Sequence, residues 1–391
     1  MLDIQQIRKD TPGCHDKVFF NSASSSLVTQ AVADKMTAYL LEEQMHGGYK
    51  VVQAYVEAIQ DFYTQAARLL NCKDSNIAFS YNATDAYAKA LSSIPFRSGD
   101  VIITTDYDYI SNQLAFLSLK KRFGVQIIRA ENRADNSLDI AGFEELIIKH
   151  KPILVAVTHV PTNSGLVQDV ETVGELCSQY DILYLVDACQ SVGQMVVDVQ
   201  KIRCDFLTAT GRKFLRGPRG TGILYVSNKI LRENTLPLFP DMCGAEWIDS
   251  QHFKIHQTAR RFELFDRSYI SVIGFAETLK YINHIGIHRI AEYDQQLSQQ
   301  LRTLLSKNEK IQVLDRGTQL SNIITLNAVS KTIAEVETHL QRNNIYYSVS
   351  KLNTVPITET TRKEQFAIRL SPHYFNTPDE IELVATLLET I

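Results

Sequence analysis

Two apolar runs in the sequence end on side chains that could do chemistry: Asp187 in "LYLVDACQSVG" (183–193) and Lys213 in "DFLTATGRK" (205–213). A carboxylate at the end of a buried strand needs a cationic partner, because its desolvation is otherwise uncompensated. A protonated pyridine nitrogen would be such a partner, and Gln190 could then hydrogen-bond the oxygen substituent of the same ring. A helix N-cap is the alternative interpretation of Asp187.

Lys213 is the second residue, after Asp187, on which this predicted site depends. A lysine enclosed at a strand end is desolvated, which lowers its pKa and frees the amine as a nucleophile or base. A lysine whose charged end reaches solvent is the alternative. Thr210 and Arg212 stand beside Lys213 and are candidate phosphate ligands.

Other apolar runs are also followed by polar residues suited to a ligand. Ala83 and Thr84 open a predicted helix, whose N–H groups could bind a phosphate, although a plain N-cap explains the same pattern. Tyr109 could stack on a flat ring or only pack at the rim, and Thr162 or Asn163 could reach a ligand oxygen or only form a turn. A phosphate site, a stacking ring, an acid and a lysine, in that order, fit pyridoxal 5′-phosphate (PLP).

Between residues 75 and 226, short apolar strands alternate with helix-like segments, which predicts an α/β fold with a mostly parallel sheet. Seven strands are expected: "NIAFS", "DVIITT", "VQIIRA", "ILVAVTH", "ILYLVDA", "DFLTAT" and "GILYV". The last follows a Gly-rich loop, so we expect it to be antiparallel. A helix over 275–310, broken near Gly286, then precedes an α+β segment. We expect a large domain over 17–265 and a small domain formed by 1–16 and 266–391.

Composition narrows the class of protein. The 391 residues are 45% hydrophobic and 21% charged with a net charge of -4, which is typical of a globular protein and gives no reason to expect nucleic acid as a partner. We predict no membrane span and no signal peptide. The six cysteines form no CxxC pair, so we expect no metal site and a reduced, cytoplasmic protein.

Several motifs, taken together, resemble those of class V aminotransferases, a PLP-dependent group of fold type I that includes cysteine desulfurases, isopenicillin-N-epimerase-like proteins and ergothioneine-type C–S lyases. The resemblance covers nearly the whole chain, and the Asp187–Gln190–Lys213 block is its most specific part. The motifs are "NATDAYAKAL", "DYISNQLAF", "THVPTNSGLV", "VDACQSVGQMVVDV", "DFLTATGRKFLRGPRGTGILYV" and "IRLSPHYFNTPDEI".

The resemblance implies a role for each matching residue. Lys213 would bind PLP covalently and move the α-proton, Asp187 would hold the ring nitrogen, and Gln190 would contact its phenolic oxygen. Tyr109 stands where desulfurases usually have the histidine that stacks on the ring. Arg369 would bind the α-carboxylate of an amino-acid substrate. Thr84, Thr210 and Arg212 would hold the phosphate. By their positions, Ala83, Thr162 and Asn163 are further candidates for cofactor contacts, and Ser22, Ala23 and Tyr49 are further candidates for substrate contacts. The family also implies a homodimer.

One departure from the desulfurase pattern selects among the activities. A cysteine desulfurase needs a nucleophilic cysteine in a loop of the C-terminal domain, whereas the last cysteine here is Cys243 and the matching segment, "YYSVSKLNTVPITE", has none. We therefore expect a C–S β-lyase acting on a cysteine-derived amino acid. The alternatives are an aminotransferase, an epimerase, a cysteine desulfurase, or a PLP-fold protein that binds without catalysis.

Overall fold

The computed structural model describes residues 2–351 and 366–391. The strands in these residues are β1 (Val18–Phe19), β2 (Ile77–Ser80), β3 (Val101–Thr105), β4 (Gln126–Ala130), β5 (Leu154–Thr158), β6 (Leu183–Asp187), β7 (Phe206–Thr210), β8 (Gly222–Val226), β9 (Ala245–Trp247), β10 (Phe253–Ile255), β11 (Ile311–Val313), β12 (Ile324–Ala328), β13 (Ile345–Tyr346), β14 (Ser348–Lys351) and β15 (Phe366–Leu370).

The α-helices in the same residues are α1 (Ile4–Lys9), α2 (Gln30–His46), α3 (Gly48–Ala54), α4 (Val56–Leu70), α5 (Ala83–Ser92), α6 (Ile110–Phe123), α7 (Ile140–His150), α8 (Val170–Gln179), α9 (Val199–Ile202), α10 (Asn228–Arg232), α11 (Tyr269–Ile285), α12 (Ile287–Leu305), α13 (Ile333–Arg342) and α14 (Pro378–Glu389). Short 3₁₀ helices cover Pro12–Cys14, Asp74–Asn76 and Ala259–Phe262.

The large sheet has seven strands in the order β2-β8-β7-β6-β5-β3-β4. Only β8 runs against its neighbours, β2 and β7, so the predicted α/β fold with one antiparallel strand is confirmed. The parallel strands β3, β5, β6 and β7 lie side by side and end at the same edge. That edge is where a sheet of this kind binds ligands.

Both faces of the large sheet are covered, which explains why its strands are continuously apolar rather than alternating. Consecutive residues of a strand belong to different cores: Ile102 packs in one and Ile103 in the other. The same alternation separates Leu185 from Val186. Side chains that point to opposite faces in turn are the expected result of the strand's period of two.

A second sheet, with the antiparallel order β11-β12-β15-β14, lies in the C-terminal part of the chain. Its core includes side chains from α12, α13 and α14, together with Val18 and Phe20. The predicted break in the long helix is confirmed at Gly286, which has a φ of 94° and separates α11 from α12. This positive φ favours glycine.

The domain boundaries at 16/17 and 265/266 stay a prediction. Arg8 of α1 donates to Glu380 Oε1 and to the Phe375 carbonyl, both at 2.8 Å, which ties the N-terminal segment to the C-terminal part. Val272 and Phe275 of α11, however, belong to a core of the large sheet. Helix α11, which the predicted boundary assigns to the small domain, therefore packs on the large sheet.

None of the helices in residues 2–351 and 366–391 is both long enough and apolar enough to cross a bilayer.

Candidate active site

A cavity of about 530 Å³ opens at the strand ends of the large sheet. Most of the predicted cofactor-binding residues line it, although they come from separate segments of the chain. The described residues that line the cavity are Tyr81, Asn82, Ala83, Thr84, Tyr109, Asn112, Thr158, Val160, Thr162, Asp187, Cys189, Gln190, Thr210, Arg212, Lys213, Arg219 and Gly220.

Asp187 is the last residue of β6 and is only 4% exposed. Its Oδ2 accepts a hydrogen bond from Asn112 Nδ2 at 3.0 Å, and its Oδ1 accepts one from the Cys189 N–H at 3.0 Å. A carboxylate has about four acceptor positions, so two bonds leave capacity for a cation on the cavity side. The carboxylate is therefore oriented before any ligand binds.

Lys213 follows β7 in a tight turn. The turn is closed by the Gly217 N–H, which donates to the Gly211 carbonyl at 2.7 Å, and by the Arg216 N–H, which donates to the Lys213 carbonyl at 2.8 Å. Lys213 is 7% exposed, which excludes the alternative of a surface lysine. Burial lowers the pKa of its amine, and the nearby cation Arg212 acts in the same direction. A larger fraction of the amine is therefore neutral and nucleophilic at neutral pH.

Tyr109 forms part of the cavity wall that faces Lys213. The centre of its ring lies 5.9 Å from Lys213 Nζ, and 36% of the residue is exposed. It occupies the N-cap position of α6, and its own N–H donates to Asp108 Oδ1 at 2.7 Å. The ring thus faces the same space as the lysine, which is the placement that stacking on a ligand requires.

The N-terminus of α5 forms another part of the wall, where Ala83 and Thr84 line the cavity. Asn82 caps this helix, and its Oδ1 accepts from the Asp85 N–H at 2.9 Å. The turn lies close to β8, because a Cβ on Gly222 would come within 2.8 Å of the Asn82 carbonyl carbon. The N-terminus of α5 can be capped by Asn82 and still bind an anion, because the first N–H groups of a helix have no partner within the helix.

Two arginines converge on Ser24: Arg212 lines the cavity, whereas Arg369 lies outside its lining. Arg212 Nη1 donates to the Ser24 carbonyl, and Arg369 Nη2 donates to the Ser24 hydroxyl. Arg369 Nη1 also donates to the Thr162 carbonyl at 2.9 Å. Burial, and then the positive charge of Arg212, lower the pKa of Arg369 to about 10. Neither arginine has a carboxylate partner among the described residues, and this arrangement suits an anionic ligand.

The family model described as "Aminotransferase class-V" matches residues 18–384 of this chain. The chain belongs to this family. Class V aminotransferases use PLP, and the chain is accordingly a PLP-dependent enzyme.

The related proteins reported below align with nearly the whole length of this class V aminotransferase. It is 28% identical to a "Probable cysteine desulfurase" of Methanothermobacter thermautotrophicus, covering 99% of this chain and 98% of that one. The "Apo structure of Cysteine Desulfurase from Thermococcus onnurineus NA1" matches with a TM-score of 0.90 and 25% identity, covering 100% and 98%. A cystine C–S lyase, C-DES, in complex with its product cysteine persulfide matches with a TM-score of 0.85 and 19% identity, covering 97% and 99%, and so shares the fold.

Gln190 tests whether the residues of this class V enzyme fit PLP. Its Nε2 donates to the Ala23 carbonyl at 3.1 Å, while its Oε1 is buried and has no partner among the described residues. Buried polar atoms rarely remain unpaired, so this oxygen marks a place for a ligand hydroxyl group. The helix N-terminus, the oriented acid and the buried lysine also match the phosphate, ring nitrogen and aldehyde of PLP in chemical type.

Some predicted contacts lie outside the cavity wall. Asn163 Nδ2 donates to the Lys351 carbonyl at 3.0 Å, and Ser22 and Ala23 are buried beside Ser371. Tyr49 is 83% exposed on α3. Substrate binding by Ser22, Ala23 and Tyr49 and cofactor binding by Asn163 stay predictions.

Sequence analysis missed three residues that support the site: Asp108, Asn112 and Thr158. Asn112 holds Asp187, and Asp108 holds both Asn112 and Thr158. A signal was present, because residues four apart at the start of a helix share a face, and Asp108 and Asn112 have that spacing. Their partner Thr158 belongs to another strand and could not be read from local spacing.

His159 predicts how stability depends on pH. It is buried, and burial lowers its pKa from 6.5 to about 4. Between these values the unfolded chain binds a proton that the folded chain does not, so stability is full above pH 6.5 and falls as the pH drops. The loss attributable to this group approaches about 3 kcal/mol near pH 4.

The measurement is urea unfolding of wild type and His159→Gln at pH 7 and pH 5. The variant should lose less stability between the two pH values than wild type does. His288→Gln, at an exposed position, should keep the wild-type dependence. Equal pH dependence in wild type and His159→Gln would contradict the assignment.

Proposed function

We propose that this class V aminotransferase is a C–S β-lyase that acts on a cysteine-derived amino acid. The observation that carries the proposal is the distribution of thiols around the buried Lys213. All six cysteines lie in the described residues, and of these Cys189 alone lines the cavity. Burial, and then the charge of Asp187, raise the pKa of the Cys189 thiol well above its usual value, which keeps it a poor nucleophile.

Substrate binding is proposed to depend on Arg369. Its Nε is buried without a partner among the described residues, so the guanidinium has unfilled donor capacity. A planar fork of donors suits a carboxylate better than a single ammonium does. We propose that the α-carboxylate of the amino acid binds here, which places Cα towards Lys213.

The chemistry proposed for Lys213 is proton transfer. Its lowered pKa favours the neutral amine, which is the form that can accept the Cα proton on Nζ. PLP supplies an electron sink for the charge left at Cα. The Cβ–S bond then breaks, and its electron pair leaves with the sulfur. Release and hydrolysis of the remaining three-carbon fragment give pyruvate and ammonia.

Cysteine desulfuration is the second candidate, because the relatives carry the name cysteine desulfurase. That reaction needs a thiol to take the sulfur atom from the substrate. The sequence has no cysteine after Cys243, whose thiol lies 3.9 Å from Glu263 Oε2 and outside the cavity lining. This distribution supports elimination.

The reaction is tested by its products. The holoenzyme is incubated with cysteine, cystine, S-alkylcysteines and their sulfoxides, and pyruvate, ammonia, alanine and sulfur products are quantified. We expect pyruvate and ammonia in equal amounts, and we expect Cys243→Ser to behave like wild type. Alanine formed together with sulfide or a protein persulfide would instead establish desulfuration.

We also propose a homodimer. Exposed apolar side chains are concentrated near the β9–β10 hairpin, and patches of this kind commonly form subunit contacts. They are Leu238, Phe239, Met242, Trp247, Ile248 and Phe253. Sedimentation that gives the mass of one 44.3 kDa chain at micromolar concentration would contradict the proposal.

A cytoplasmic location is proposed from the cysteines. All six are free thiols, which persist in a reducing compartment. Cell fractionation that places the protein outside the cytoplasm would overturn this assignment.

A further inference from the structure

Behind Asp187 lies a second carboxylate, Asp108, in the segment between β3 and α6. Two strand ends donate to it: Thr158 Oγ1 to Oδ1 at 2.6 Å and Thr104 Oγ1 to Oδ2 at 3.0 Å. Thr104 belongs to β3 and Thr158 to the neighbouring β5. Asp108 therefore joins two strands at the edge where the cavity opens.

Helix α6 and its N-cap residue supply three more donors to the same carboxylate. The Tyr109 N–H donates to Oδ1 at 2.7 Å, Asn112 Nδ2 to Oδ1 at 2.9 Å, and Gln113 Nε2 to Oδ2 at 2.9 Å. The first turn of α6, which carries Tyr109 and Asn112 into the cavity wall, is thus tied to Asp108.

The set of donors indicates which form of Asp108 is present. Amide N–H groups can only donate, and each oxygen of Asp108 has at least one, so a proton on either oxygen would face a donor that cannot accept it. The pKa of Asp108 is raised, chiefly by burial and also by the charge of Asp187, and the bonds from Thr158 and Asn112 limit the rise. Five donors on two oxygens suit a carboxylate, because bonds to a charged acceptor are the stronger ones.

Asn112 connects the carboxylate of Asp108 to that of Asp187. Its Nδ2 donates to Asp108 Oδ1 at 2.9 Å and to Asp187 Oδ2 at 3.0 Å. A single amide nitrogen therefore bridges two acids and uses both of its hydrogens. Thr158, also bound to Asp108, pairs with Asp187 across β5 and β6. The strand β5, which carries Thr158, lies on the other side of β6 from β7, the strand that leads to Lys213.

We propose that Asp108 is a positioning residue for the cofactor ring: it aims Asn112 at Asp187 and places a second negative charge behind it, so that the ring nitrogen of PLP stays protonated. The proposal rests on the proposed placement of the ring nitrogen at Asp187, and it is independent of which reaction follows. Asp108→Asn would remove this charge and replace one carboxylate oxygen, which accepts hydrogen bonds, with an NH2 group, which donates them. The new donor would face other donors, and this would disturb the link through Asn112 to Asp187.

The test uses enzyme reconstituted with PLP that carries ¹⁵N in the ring. We expect Asp108→Asn to move the ring ¹⁵N resonance towards that of the unprotonated ring and to weaken PLP binding by about tenfold. Asp108→Glu keeps the charge and should restore the wild-type resonance, at least in part. Activity is not needed for either readout.

Asp205 provides a matched control. It is a buried carboxylate at the start of β7, the opposite end of the sheet, where it accepts from the Tyr184 N–H at 3.1 Å and from Ser227 Oγ at 3.0 Å. Asp205→Asn should lower the unfolding midpoint and leave the ring resonance unchanged. A structural role alone for Asp108 would give this same pattern.

Asn112→Ala keeps Asp108 and removes the bridge, so it decides the matter if Asp108→Asn does not fold; we expect its ring resonance to move in the same direction. A wild-type resonance in Asp108→Asn, or in Asn112→Ala, with the cofactor bound would overturn the inference. If wild type itself shows an unprotonated ring, the placement at Asp187 fails instead, and the two failures are thereby distinguished.

Discussion

Replacing Lys213 with alanine is expected to abolish turnover, with a fall in kcat of roughly 10⁴-fold or more. The side chain is buried in the cavity, and burial lowers its pKa, so the variant loses both the amine proposed to hold PLP and the base proposed to take the Cα proton. The same variant should lose the visible absorbance of the lysine-bound cofactor.

The measurements are the absorbance spectrum, steady-state rates, and mass spectrometry after borohydride reduction of the reconstituted protein. Wild type should retain one PLP-sized adduct on Lys213, and Lys213→Ala should retain none. Lys201→Ala, at an exposed position, is the control and should match wild type in all three. A normal absorbance band or a reducible adduct in Lys213→Ala would show that another amine holds the cofactor.

Replacing Arg369 with alanine is expected to lower kcat/KM by roughly 100-fold, equivalent to about 3 kcal/mol, because the proposed charge-assisted contact to the substrate carboxylate is lost. The guanidinium is 4% exposed and has no carboxylate partner among the described residues, so its charge is available to the substrate. The main change should be in KM, since the carboxylate binds equally in ground state and transition state.

Arg369→Lys is the matched variant, because it keeps a positive charge and loses the planar fork. It should recover part of the lost kcat/KM. The visible spectrum of both variants should stay close to that of wild type, which separates substrate binding from cofactor binding. An unchanged KM in Arg369→Ala would place the substrate carboxylate elsewhere.

Much of the large sheet could be predicted from the sequence alone, and so could the two central residues of the candidate site, Asp187 and Lys213. Strands buried on both faces must be apolar at every position, so the seven runs could be recognised by composition. Asp187 and Lys213 stood out because ionisable side chains interrupt those runs at their ends. The structure confirms that both lie at one edge, since β6 and β7 are parallel neighbours.

Only the tertiary structure could show which distant residues support those two central residues. Arg369, from β15 in the second sheet, binds the carbonyl of Thr162 in the cavity wall, and the link from Asp108 to Thr158 joins segments fifty positions apart. Local spacing carries no information about such contacts, because they depend on the strand order and on the packing of one sheet against the other. The pattern of hydrophobic residues was thus enough to locate the candidate site along the chain. The tertiary structure decided which donors, acceptors and charges surround Asp187 and Lys213.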